Sequence, residues 1–262
     1  MNHQSITFDV DQGVARIALN RPDSANAMNL GLMQELMMAS IRCDEDPAIR
    51  AVTITGSGRF FCAGGDLVSF AQAGDQMPAL LKQLTIYLHA AVSRFARMNA
   101  PVIAAINGVA GGGGMSLACA ADLAIAAESA KFTMAYTNAG LSPDGSSTFF
   151  LPRLVGHRRA QELILTNRVL SAREALDWGI VNKVVPDADL QNEAQALAVR
   201  FASGPTSAYG EAKRLLVQSA AESLDTQMEL EARAIAALGR GADAKEGIAA
   251  FLKKRKPSFV GR

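Results

Sequence analysis

The chain has 262 residues, 49% hydrophobic and 19% charged, which supplies one large apolar core and excludes a disordered chain. Lys and Arg number 26 against 25 Asp and Glu, a near balance that argues against a nucleic-acid binder. Three scattered cysteines (Cys43, Cys62, Cys119) suit a reducing compartment, and three dispersed histidines (His3, His89, His157) offer no metal site. No stretch reads as a signal peptide or is apolar for long enough to cross a membrane, so the expected location is the cytoplasm.

In chain order, residues 6–8 and 14–19 flank Asp11-Gln12-Gly13 and predict a hairpin. Residues 21–26 form a turn-rich loop. The helix that follows places Met33, Leu36, Met37 and Ile41 on one face and stops before Pro47. A strand at 51–55 leads into a glycine-rich loop that ends at Gly64-Gly65-Asp66. Leu81, Leu84, Leu88, Val92 and Phe95 form the apolar stripe of a longer helix. A strand at 101–106, the glycine run 111–114, a helix resuming from Ser116 and a strand at 123–126 follow. Strands and helices alternate, so the class is α/β.

From about residue 158 helices dominate. Ser171-Ala172-Arg173-Glu174 is a capping box, and Asp243 to Glu246 has the same pattern. A late strand is expected at 179–185, helices at 187–203, 205–220 and 222–238, and a basic tail at 253–256. The strand–strand–helix rhythm implies an internal structural repeat, although no sequence repeat accompanies it.

The glycine run lacks the Gly-Lys-Ser/Thr ending of a P-loop, and no GxGxxG occurs at the required spacing. Alone, four glycines after a strand also fit close helix–strand packing. The second loop, Ala63-Gly64-Gly65-Asp66, likewise follows a strand and exposes backbone donors before a helix. Two such loops can aim one N–H each at a single oxygen, which is the arrangement of an oxyanion hole.

FCAGGDL (61–67), PVIAAINGVAGGGG (101–114) and ADLAIAAESAKF (121–132) resemble the crotonase (enoyl-CoA hydratase/isomerase) superfamily. The resemblance continues through 141–166, 170–185 and the terminal GIAAFLKKRKPSF (247–259), and so covers essentially the whole chain. It implies a spiral of strand–strand–helix repeats over a core domain, 1–200, and a C-terminal helical trimerisation region, 201–262. It also implies a homotrimer or a dimer of trimers acting on acyl-CoA thioesters. No metal or redox cofactor is implied, since coenzyme A enters as part of the substrate. Carried across residue by residue, the oxyanion donors are the amides of Ala63 and Gly113. Ser24, Ala25 and Asn26, with Ala63, Gly64, Gly65 and Asp66, line the CoA moiety. Ser116 belongs to the substrate pocket, and Lys254 reaches a CoA phosphate in a neighbouring subunit.

Hydratases of the family use two glutamates, and this chain has Ser116 and Tyr136 at those positions. Neither hydroxyl is a ready general base near neutral pH. Asp144, in Pro143-Asp144-Gly145, could simply shape a turn. However, its Leu-x-Pro-Asp context resembles the phenylacetate-pathway epoxide/oxepin isomerases, in which this aspartate is the acid/base. Phe132, Met134, Leu141 and Phe149 are expected to give it apolar surroundings. His89, about 100° round the helix from Leu88, falls at the margin of the buried face. His89, Tyr136 and Asp144 also stand where 4-chlorobenzoyl-CoA dehalogenases carry histidine, tryptophan and aspartate. The resemblance thus implies an isomerase first. Hydratase, dehalogenase-like hydrolase and a non-catalytic interaction or RNA-binding protein are the alternatives. Cys62 and Cys119 read as core fillers, Trp178 as packing at a helix end, and Arg158-Arg159 as a solvated face.

Overall fold

The computed structural model describes residues 4–262, so His3 lies outside the described residues. The chain opens with β1 (Ile6–Asp11) and β2 (Val14–Leu19), paired antiparallel through Gln12 and Gly13, both left-handed. Two positive-φ residues match the twist of a hairpin turn. The helix α1 (Leu30–Glu45) is capped by Asn29, whose side chain accepts from the Leu32 amide.

Three successive passes then build two sheets. The first runs through β3 (Ala51–Gly56), β4 (Phe60–Cys62) and the helices α2 (Leu67–Ala73) and α3 (Met77–Arg97). The second is β5 (Val102–Ile106), β6 (Val109–Gly111) and α4 (Gly113–Ala120). The third is β7 (Leu123–Ala127), β8 (Lys131–Thr133) and α5 (Ser147–Val155). Next come α6 (His157–Thr166), β9 (Leu170–Ser171), α7 (Ala172–Asp177) and β10 (Lys183–Val185). The large sheet has the order β1-β2-β3-β5-β7-β10 and the small one β4-β6-β8-β9. Each pass therefore adds one strand to each sheet, which is the expected strand–strand–helix spiral.

The middle strands of the large sheet are apolar on both faces, as parallel strands covered on two sides must be. On β5, Val102, Ala104 and Ile106 point into the main core, while Ile103 and Ala105 point the other way. That second face is covered by α8 (Leu190–Ala202) through Leu190, Ala194, Ala198 and Ala202. The remaining helices are α9 (Thr206–Gln218), α10 (Leu224–Leu238) and α11 (Ala242–Leu252). They leave large apolar side chains in the open: Leu216, Leu224, Ile235 and Phe251, the last 83% exposed. No helix among the described residues is long and apolar enough to cross a membrane.

Three details depart from expectation. On α1 the buried face is Leu32, Met33, Leu36, Ala39, Ser40 and Cys43, and Met37 and Ile41 are half-buried at its margin. Small side chains carry half of that face, which a search for large apolar residues misses. The late strand is confined to β10, because Asn182 instead exchanges hydrogen bonds with the backbone of Ala124, each 2.8 Å. Asp243 is not a cap: its carboxylate accepts from the amides of Val260 (2.7 Å) and Gly261 (2.8 Å) and ties down the C-terminal tail. The Ser171–Glu174 capping box is present in full. Trp178 caps α7 and lies between the guanidiniums of Arg159 and Arg168.

Lys213 of α9 is buried with all three donors satisfied. Its ammonium meets Asp122 at 2.6 Å and the carbonyls of Phe95 and Ala100 at 2.9 Å each. Asp122 also accepts from the Val102 amide at 2.7 Å. One ion pair thus joins α9 to the end of α3 and the start of β5. Burial raises the Asp122 pKa and lowers that of Lys213, and their mutual attraction does not fully offset it. Lys213→Ala is expected to cost about 2–3 kcal/mol, because it removes three hydrogen bonds from the core and leaves the Asp122 carboxylate, whose side chain is 24% exposed, without its partner. The double variant Asp122→Asn/Lys213→Met is expected to recover part of that loss. Urea denaturation checks both, and equal midpoints for Lys213→Ala and the parent would contradict them.

Candidate functional site

The strands β4 and β6 are neighbours in the small sheet, so the turns that leave them emerge side by side. The first turn is Ala63-Gly64-Gly65-Asp66 and the second is Gly111-Gly112-Gly113. A Cβ on Gly64 would lie 3.0 Å from the Gly111 carbonyl oxygen and 3.3 Å from Gly112 Cα. Gly64 and Gly112 also have φ of +107° and +48°, which only glycine adopts freely here. The turns therefore meet backbone to backbone. Gly114 serves packing instead: a Cβ there would come within 2.3 Å of the Cys62 carbonyl oxygen.

Gly113 is the first residue of α4, so its N–H has no carbonyl four residues back and no acceptor among the described residues. The expected partner donor, Ala63, is not available. Its N–H is spent on the Ala25 carbonyl at 3.0 Å. The free amide of that turn belongs to Gly65, which faces the cavity and has no acceptor among the described residues. Its neighbour Asp66 is engaged, capping α2 by accepting from the Ser69 amide at 3.2 Å and giving its own amide to the Met28 carbonyl at 3.1 Å, and no local sequence signal singles out the Gly65 amide.

Asn26 is corrected from ligand contact to framework. It is fully buried and left-handed (φ 55°), and its side chain is consumed. The Arg21 amide donates to Oδ1 at 2.8 Å, and Nδ2 donates to the carbonyls of Ser57 (2.9 Å) and Phe60 (2.8 Å). Asp66 is framework as well, paired with Arg21 at 3.0 Å. Burial works to raise its pKa, but the Ser69 amide and the Arg21 guanidinium prevail and hold the carboxyl below its usual range. Ser24 is exposed and Ala25 half-buried on the outer side of the same loop. Lys254 lies exposed in the turn after α11 and does not line the cavity.

Beside the two turns is a cavity of about 240 Å³. Met28, Met33, Phe70, Leu81, Leu84 and Leu141 form its apolar wall, with Tyr136 and Asp144 on the other side. Phe132 and Met134 are buried in the core, and Phe149 stacks against Arg153, so Leu141 alone of the four expected residues lines this space. Asp144 does shape a turn, since its carbonyl accepts from the Ser147 amide (3.1 Å) and hydroxyl (2.9 Å). Its carboxylate remains for the cavity. The Tyr136 hydroxyl donates to Asp144 Oδ1 and lies 2.9 Å from Ser116 Oγ. Ser116 is fully buried behind Tyr136 and does not reach the cavity itself. Burial, with the Asp144 charge added, pushes the Tyr136 phenol well above the ordinary tyrosine range, so it stays a donor. His89 is exposed on α3, yet its Nε2 accepts from the Gly145 amide at 3.2 Å and so braces the turn that carries Asp144. That link is one the sequence reading missed.

The family model for enoyl-CoA hydratase/isomerase matches residues 9–262. The chain belongs to the enoyl-CoA hydratase/isomerase family. It is 40% identical over 258 residues to 1,2-epoxyphenylacetyl-CoA isomerase of Escherichia coli, covering 98% of each chain. It is 36% identical over 254 residues to 4-chlorobenzoyl coenzyme A dehalogenase-2 of an Arthrobacter species, covering 97% of this chain and 92% of that one. The crystal structure of an enoyl-CoA hydratase from Bacillus anthracis superposes with a TM-score of 0.92 at 35% identity, covering 99% of this chain and all of that one. The crotonase resemblance and the spiral fold are thereby established, and the protein is an enzyme of this family.

Among the described residues, Asp144 is the one acid lining the cavity. No group of three or more His, Cys, Asp or Glu side chains that could hold a metal occurs among the described residues. Cys43, Cys62 and Cys119 are buried and free, and burial pushes each thiol up to about 12. A water-soluble disulfide reagent at about pH 8 is therefore expected to label none of them in the native protein and all three after unfolding. Rapid native labelling would contradict this packing. Asn26→Ala strands several buried groups and is expected to cost about 2–4 kcal/mol in urea melts, whereas an unchanged midpoint would contradict the framework role.

Proposed function

We propose that this enzyme isomerises an enoyl-CoA or a ring-derived CoA thioester through an enolate. The supporting observation is a single carboxylate among the described residues lining the cavity, with the free Gly65 amide in its wall and the free Gly113 amide next to the lining residue Gly112. The thioester oxygen sits between the N–H groups of Gly65 and Gly113. The C–H bond next to the carbonyl or along the conjugated chain breaks, its proton passes to Asp144, and the electron pair moves onto that oxygen. Asp144 then returns the proton to a different carbon, and the carbonyl re-forms with the double bond moved. Each amide donor contributes about 3 kcal/mol in the transition state. One base and two amides suffice for this, so the proposal calls for no cofactor beyond the coenzyme A of the substrate.

Water addition needs a second group to position and activate water, and Ser116 stands buried where that carboxylate would be. Dehalogenase-type chemistry needs a base for the hydrolytic water, but His89 Nε2 is occupied by the Gly145 amide. It also needs a strongly nucleophilic carboxylate, and Tyr136 reduces that by donating to Oδ1. Retention of Asp144 and both free amides speaks against a non-catalytic interaction protein, and the near-neutral charge against RNA.

The proposal extends to assembly. The exposed apolar side chains of α9–α11 support a homotrimer or dimer of trimers built through region 201–262, with Lys254 turned toward a neighbouring subunit's CoA phosphate. Free cysteines support a cytoplasmic location. The decisive variant is Asp144→Asn. Conversion of a 3-enoyl-CoA to its 2-enoyl isomer is expected to fall by a factor of about 10³ or more, with acyl-CoA binding retained by calorimetry. Turnover within tenfold of the parent would sink the assignment.

A further inference from the structure

Resting on the isomerase reading, we propose that Ser116 and Tyr136 form a directed hydrogen-bond chain that fixes the Asp144 carboxylate through Oδ1 and reserves Oδ2 for the substrate proton. The direction follows from counting hydrogens. A phenol has one hydrogen, and that of Tyr136 is given to Asp144 Oδ1. The contact between Tyr136 and Ser116 at 2.9 Å must therefore run from the serine to the tyrosine. The other partner of Ser116 Oγ, the Gly112 carbonyl at 3.3 Å, is the longer of its two contacts and loses the competition. A phenol that receives a hydrogen bond donates a stronger one, so Ser116 acts on Asp144 through Tyr136.

The remaining oxygen, Oδ2, has no hydrogen-bond partner among the described residues. The ionisable groups of the elements packed around this carboxylate are already engaged. On α3, His89 faces the turn through Nε2, whose lone pair is taken by the Gly145 amide. Leu81, Leu84 and Leu141 bring no charge. Asp66, across the cavity, is paired with Arg21. The donor from Tyr136 orients the carboxylate without competing for the reactive oxygen. The chain carries no proton away, since Ser116 is fully buried and its other hydrogen-bond partner among the described residues is a backbone carbonyl. Ser116 is thus a positioning residue standing where hydratases of the family have a carboxylate.

The test is a double-mutant cycle on isomerisation of a 3-enoyl-CoA, with kcat and KM measured separately. Tyr136→Phe is expected to lower kcat about tenfold or more, with KM within about twofold, because a charge-assisted hydrogen bond is lost. Ser116→Ala lowers kcat by less, about threefold, again with KM nearly unchanged. In the Tyr136→Phe background Ser116→Ala has no further effect, since phenylalanine relays nothing. Additive effects, or a KM that rises in step with the fall in kcat, would overturn the chain. Thermal melts and acyl-CoA titrations of each variant exclude loss of fold as the cause. Asp144→Asn is assayed alongside: turnover there overturns the isomerase reading. An inactive Asp144→Asn with additive Ser116 and Tyr136 effects overturns only the chain.

Discussion

The close approach of two glycine turns, Gly64 against Gly111 and Gly112, is the constraint on which the site depends. Two amides from different passes of the spiral can converge only if nothing but backbone separates them. Adjacent strands in the small sheet bring the turns together, and missing side chains let them touch. The Asn26 carboxamide then fixes the outer loop to the β3–β4 connection. Met28 exchanges backbone hydrogen bonds with Gly64 (2.7 Å) and Asp66 (3.1 Å) and sets the height of the first turn. Donors held this way need no reorganisation when charge develops on the substrate oxygen, which is why preorganised amides outperform water.

Polar groups elsewhere are arranged so that few of them compete with that chemistry. Arg21 and Asp66 neutralise each other beside the first turn, and Lys213 and Asp122 do so on the far side of the core. Tyr136 is held as a neutral phenol by burial and by the charge of Asp144. What remains facing the cavity is one carboxylate in a mostly apolar wall. Such a wall suits an acyl group or ring of low polarity. The same Asp144 segment also turns the chain into α5, so its backbone and its side chain have separate duties.

Much of the fold was legible because it rests on long, periodic segments. The hairpin at Gln12-Gly13, the apolar runs of β3, β5 and β7, the stripe of α3 and the Ser171 cap all appear in the sequence at nearly their true places. The small sheet was not legible from periodicity. Its strands β4, β6, β8 and β9 have two or three residues each, too few to show alternation, and two of them adjoin glycine-rich turns. At the site, Asp144, Tyr136 and Gly113 were identified from motif position, and the structure brings the first two into contact. The choice of Ala63 failed because the fate of an amide depends on a carbonyl 38 residues away, at Ala25, which no local pattern reports. Asn26 was misread for the same reason: its partners Ser57 and Phe60 are distant in sequence. The His89–Gly145 bond likewise spans two elements, and helical phase alone placed His89 only near a boundary.

A site with one carboxylate and no second base should move protons without adding water. Incubating the enzyme with a 3-enoyl-CoA in ¹⁸O-labelled water, and following the products by mass spectrometry, reads this directly. The single-base site predicts a 2-enoyl product of unchanged mass and no labelled 3-hydroxyacyl-CoA at comparable rates. Rapid formation of ¹⁸O-labelled 3-hydroxyacyl-CoA would contradict it, because it would require a water-activating group that Ser116 and Tyr136 do not supply.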